Sequence, residues 1–107
     1  MDHRLAIEVI PNGHELTLVL HGEMDQNSIG GLRACLDELD SQWRSVVLEM
    51  ARVSFIDSSG IGLLLEAQSA FGVDLRKLEL RHVDEQVRRV LELTGATEFI
   101  PVASAID

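Results

Sequence analysis

The chain has 107 residues, 46% apolar and 25% charged, enough for one core held without metals or disulfides and too short for a second domain. Eighteen acidic side chains against nine basic ones leave a formal charge of −9, which excludes nucleic acid and membrane as expected partners, because both attract basic surfaces. The opening residues MDHRLAIEVI hold no signal-peptide core, and the apolar stretch Ile61–Leu65 is far short of the roughly 20 residues a bilayer span needs, so a soluble protein is expected.

Residues Leu5–Ile10 alternate in part, as a strand does, and Pro11-Asn12-Gly13 supplies turn chemistry. Glu15–His21 is rich in β-formers, the kind of run found in a strand covered on both faces, and the short turn makes the two strands a hairpin. After Gly22-Glu23-Met24-Asp25 the period changes. Ile29, Leu32, Leu36 and Leu39 recur at spacings of three and four, the stripe of an amphipathic helix, with Asn27 or Ser28 as its cap.

Ser45–Met50 reads as a third strand, followed by a loop over Ala51–Ile56. Asp57 and Ser58 then open a second helix, from about Ser58 to Phe71, that stops at Gly72. Lys77–Arg81 is a fourth strand. Asp84 caps a third helix with Val87, Val90 and Leu91 inward and Gly95 at its end, and Phe99–Val102 is a last short strand. The order ββαβαβαβ, one domain over 1–107, implies an α/β fold: a mixed, mostly parallel sheet with helices packed against it.

Chemistry concentrates at Ser54–Gly62, where a strand feeds a helix N-terminus with unpaired backbone N–H groups and a positive dipole end. A dinucleotide loop would need a third glycine where Leu65 stands. A hydrolase elbow would need a glycine two residues before its serine, where Ile56 or Asp57 stands, and His3, His14, His21 and His82 form no recognisable constellation with Ser58 or Ser59. Two readings remain open on local chemistry: Asp57 and Ser58 simply cap a helix whose Gly60 and Gly62 allow close packing, or the serines form a phosphoacceptor and docking site.

Three motifs in order then carry a resemblance over nearly the whole chain. Val46–Met50 with the loop through Phe55-Ile56-Asp57-Ser58-Ser59-Gly60-Ile61-Gly62 resembles the signature of STAS domains, most of all that of bacterial anti-sigma factor antagonists. Gly22-Glu23-Met24-Asp25 and Val87–Gly95 match that family's first turn and last helix; a proline common before that helix is missing from Val83-Asp84-Glu85. The resemblance implies a STAS fold and a cytoplasmic, bacterial switch that is not an enzyme and carries no cofactor. Ser58 would be phosphorylated by a serine-kinase anti-sigma factor, and a metal-dependent serine phosphatase would remove the phosphate. The unmodified form would hold the kinase, and the phosphorylated form would release it. Asp25, Asp57, Ser59, Gly60, Ile61 and Gly62 would line the docking face. A scaffold or transporter-associated STAS subunit that works without phosphorylation is the alternative.

The remaining residues have plainer expectations. Cys35 is a small buried hydrophobe in a reducing setting, and the histidines make no zinc site. Met50 and Phe55 belong to the core, Trp43 is either a packing lid or a partner surface, and the protein is expected to be a monomer.

Overall fold

The computed structural model describes residues 5–103. Strands β1 (Ala6–Asn12) and β2 (Glu15–Met24) lead into helix α1 (Ile29–Asp37). Then follow β3 (Ser45–Ile56), α2 (Ser58–Val73), β4 (Lys77–Arg81), α3 (Glu85–Leu93) and a 3-10 turn at Ala96–Glu98. The sheet order is β1-β2-β3-β4, with β1 antiparallel to β2 and the other neighbours parallel. The last β position is a single parallel bridge, Val102 to Leu80, held by Leu80 N–H to Pro101 O at 2.9 Å and Ala103 N–H to Leu80 O at 2.9 Å. The mixed, mostly parallel α/β architecture and its ββαβαβαβ order are those expected from the sequence.

Three local expectations change. The hairpin turn is Gly13-His14, one step later than Pro11-Asn12-Gly13, with Asn12 paired to Glu15 and Gly13 at φ +63. A glycine in that first position supports a two-residue turn whose twist suits the strands, and Pro11 is left inside β1, which an edge strand tolerates. Next, β2 is covered on one face: Leu16, Leu18 and Leu20 are buried, while Thr17 and Val19 are half-buried. Finally, Ala51–Ile56 is strand rather than loop, because β3 continues beside β2 through register shifts at Val19/His21 and Gly22/Glu23. Those irregularities disturb the alternation that marks a strand in sequence.

The core lies between the helices and the covered face of the sheet, where Leu18, Leu20, Leu48 and Met50 are fully buried. Ile29, Leu32 and Leu36 of α1, Leu64, Ala67 and Phe71 of α2, and Val87 and Leu91 of α3 complete it. Each large apolar side chain removed from water contributes about 1.5–3 kcal/mol before the entropy of ordering it is counted. Two ends were well marked by sequence. Asp84 caps α3 by accepting from Gln86 N–H at 3.1 Å, and Gly95 follows it in the left-handed region at φ +80. Helix α2 runs past Gly72 to Val73 and ends with Leu75 at φ +58. Cys35, expected to be buried, is half-buried, and it and the half-buried Trp43 pack against the core.

Candidate functional site

The end of β2 and the start of α2 are built against each other. Asp57 N–H donates to Met24 O at 3.1 Å, joining the last residue of β2 to the helix cap. Behind it Gly60 is buried, and a Cβ there would lie 2.7 Å from Met24 O and 2.8 Å from Ile56 Cγ1. Only glycine lets the first turn of α2 come this close. Nothing lies within 4 Å of a Cβ at Gly62, so packing does not explain that glycine.

Asp57 has extended backbone (φ −113, ψ −172), and its Oδ1 accepts from Ser59 N–H at 2.9 Å and Gly60 N–H at 3.1 Å. Its Oδ2 accepts from Gln26 N–H at 3.3 Å, which ties the helix to the turn after β2. The N–H groups at this helix start, unpaired on a reading of sequence alone, are therefore partly taken by the aspartate beside them. A carboxylate is thus already seated at the helix end, the place where a helix favours an anion. Ser58 is exposed and is the first residue of α2; Ser59 is half-buried.

The turn from Gly22 to Ser28 is organised from within. Gly22 has φ +133, and Asp25 Oδ1 accepts from Asn27 N–H at 2.9 Å. The buried Ser28 accepts from Asp25 N–H at 3.0 Å through Oγ and donates the same hydroxyl to Glu23 O. Ser28 stands at the N-cap position of α1 yet makes no side-chain cap bond, since its hydroxyl turns back to fix the turn. The sequence offers Asn27 or Ser28 as this cap and does not reveal the turn-fixing role of Ser28. The visible signal was a short polar residue three positions after Asp25.

The expected site residues thus divide. Asp25, Asp57, Ser58 and Ser59 are brought to one end of the sheet by the Met24–Asp57 and Gln26–Asp57 hydrogen bonds. Gly60 and Ile61, at 9% exposure, face the interior and shape the site without offering surface, while Gly62 is half-exposed. Met50 is buried as expected, but Phe55 is 46% exposed. Gly22 pairs with Val53 and Glu23 with Phe55, so Ser54 is skipped in the ladder and Phe55 turns out of the core. This aromatic, close in sequence to Ser58, was missed because Ala51–Ile56 reads as loop in the sequence, where no sheet face is assigned to a side chain.

Asp57 precedes the exposed Ser58 directly, Asp25 lies in the turn tied to it through Gln26, and no cation pairs with either carboxylate among the described residues. No cluster of His, Cys, Asp and Glu suited to a metal occurs among the described residues. His82 Nδ1 instead meets Glu49 Oε2 at 2.8 Å, far along the chain from Ser58, and His3 lies outside the described residues. Burial, with Glu38 nearby, raises the Cys35 thiol above its ordinary pKa, so it is a poor nucleophile at neutral pH. No described helix is long and apolar enough to cross a membrane.

Comparison with known proteins places this geometry in a family. The model of the STAS domain matches residues 5–107. A STAS-domain containing protein of Pseudomonas aeruginosa is 23% identical over 92% of this chain and 100% of its own. The anti-sigma F factor antagonist of Paenibacillus polymyxa is 27% identical, over 92% of this chain and 86% of its own. Among solved structures, the anti-sigma factor antagonist SpoIIAA of Bacillus is similar in two forms. Its unphosphorylated form gives a TM-score of 0.74 at 22% identity over 92% of this chain and 89% of its own. Its phosphorylated form gives 0.71 at 22% identity over 92% of each chain.

Proposed function

The chain belongs to the STAS domain family, and we propose that it is an anti-sigma factor antagonist whose binding is switched by phosphorylation of Ser58. The observation that carries this reading is the exposed Ser58 hydroxyl at the start of α2, with the Asp57 carboxylate bound to the backbone beside it. The names of its relatives support the antagonist role. SpoIIAA, similar in fold, is known with and without its phosphate.

The unmodified chain binds a serine-kinase anti-sigma factor in the cytoplasm through the surface formed by Asp25, Asp57, Ser58, Ser59 and Gly62, with Gly60 and Ile61 holding that surface in place. The kinase transfers the terminal phosphoryl group of ATP to Ser58 Oγ, leaving ADP, and the hydroxyl proton passes to a base of the kinase. A metal-dependent serine phosphatase later hydrolyses the ester. In this cycle the chain is a substrate and a binding module, not a catalyst.

Electrostatics make one phosphate sufficient. It adds about −1.5 to −2 charges next to Asp57, on a chain that already carries −9. Burying that group in an interface without a cationic partner costs several kcal/mol, and each ~1.4 kcal/mol is tenfold in affinity. Since the carboxylate of Asp57 already holds the helix end, the fold has no need to rearrange.

Intact mass spectrometry after incubation with ATP and the partner kinase tests the reading. One added phosphate on the wild type and none on Ser58→Ala is expected. No phosphate on either, with the kinase active on another substrate, would replace the switch by a scaffold that acts through binding alone.

A further inference from the structure

Strand β1 is an edge strand whose outer side has no partner among the described residues. Its outward hydrogen-bonding groups follow from the hairpin. Across the two-residue turn the closing pair, Asn12 and Glu15, is hydrogen-bonded, and pairs then alternate along an antiparallel ladder. Ile10–Thr17 and Glu8–Val19 therefore bond within the sheet, while Ile7, Val9 and Pro11 direct their backbone groups to the open edge. Pro11 fits this phase, since the N–H it lacks would have faced outward. Two apolar side chains stand uncovered here, Val9 at 52% and Ile10 at 44% exposure.

We propose that this edge pairs with its own copy, antiparallel about a two-fold axis at Val9, to give a homodimer with one sheet continuous through β1 and the partner's β1. The register follows from the residues. Centring on Glu8 would set two carboxylates directly opposite each other, which is unfavourable. Centring on Ile10 would oppose Val9 to Pro11 and leave only two bonds, from each Val9 N–H to a Pro11 carbonyl, against four about Val9, and centring on Ile7 would carry the pairing past the start of the strand at Ala6. Centred on Val9, each Val9 exchanges both bonds with its copy, and each Ile7 N–H meets a Pro11 carbonyl. Val9 then faces Val9 and Ile7 faces Pro11 on one side of the sheet, while Glu8 faces the apolar Ile10 on the other.

A second copy suits this edge because its one defect, the missing donor of Pro11, falls at the end of the paired stretch in both chains at once. The contact is small and both chains are acidic, so the dimer is weak and tightens with salt. The two-fold axis points the Ser58 ends of the chains in opposite directions, leaving both free. This departs from the monomer expected from the sequence and does not depend on phosphorylation of Ser58.

The test is light scattering and amide hydrogen exchange on the full chain across ~10 µM to ~1 mM, the range suited to a small interface. The expected result is a doubling of mass with concentration, and slowing of exchange at Ile7 and Val9 in step with it. Glu8 and Ile10 should be protected throughout. Val9→Pro removes only an outward donor and should abolish the dimer, and Val9→Lys should do the same if the proline variant fails to fold. A single-chain mass at every concentration would overturn the proposal. So would a dimer that persists in both variants, or one in which Ile7 and Val9 of the wild type still exchange fast.

Discussion

The carboxylate of Asp57 accepts the backbone N–H of Gln26 at 3.3 Å, across 31 positions of sequence. Through this bond the cap of α2 and the turn after β2 become one surface, with the exposed Ser58 beside it. Asp57→Ala removes both the cap and this tie. A lost cap costs about 1 kcal/mol, which in a domain of this size lowers Tm by roughly 4–8 °C. Asp57→Asn keeps an oxygen acceptor and should cost less. Thermal unfolding of the two variants checks the order; equal losses would show that the hydrogen bonds are not what holds this end together.

Gly60 and Gly62 separate packing from recognition. Gly60→Ala forces a methyl group against Met24 O and Ile56 Cγ1, and overpacking of this kind costs about 1–3 kcal/mol. Gly62→Ala meets open space and should stabilise α2 by up to about 1 kcal/mol, as alanine does in place of glycine within a helix. Chemical denaturation should show opposite signs. If Gly62→Ala also weakens kinase binding, Gly62 belongs to the docking surface.

Phe55 should matter for binding and not for folding. Its ring is 46% exposed, so Phe55→Ala should change stability by no more than about 0.5 kcal/mol. As one of the few side chains that anchor a partner, it would contribute about 2 kcal/mol or more, which is upwards of tenfold in Kd. Calorimetric titration of the kinase with the variant measures this. Unchanged affinity would remove Phe55 from the interface.

The chain also carries a removable strain. Leu75 has φ +58 while 86% exposed, so its side chain repays little of the cost of a left-handed backbone. That cost is about 1–2 kcal/mol for a residue with a Cβ, partly offset by the greater freedom of glycine when unfolded. Leu75→Gly should therefore raise stability by about 0.5–1 kcal/mol, read as a higher urea midpoint at unchanged slope.

Much of this was legible in the residues. The helical stripe Ile29, Leu32 and Leu36 and the caps Asp57 and Asp84 each mark an element by local chemistry alone, and the structure has them where expected. The loop reading of Ala51–Ile56 failed for a physical reason. The register shifts beside Val19 and Gly22 arise from how two strands fit together, which neither strand reveals by itself. They lie where β3 runs through a segment read as loop, and that segment holds the exposed Phe55. Ser28 shows the same limit at smaller scale, because its hydroxyl is claimed by Glu23 O and Asp25 N–H once the turn has closed.

The central claim is that one phosphate on Ser58 decides whether the partner stays bound. The most direct measurement is the Kd of the serine-kinase anti-sigma factor for the unmodified chain and for the chain phosphorylated at Ser58, under the same salt and nucleotide. At least tenfold weaker binding of the phosphorylated form is expected, with an unchanged fold in both. Equal affinity for the two forms would contradict it.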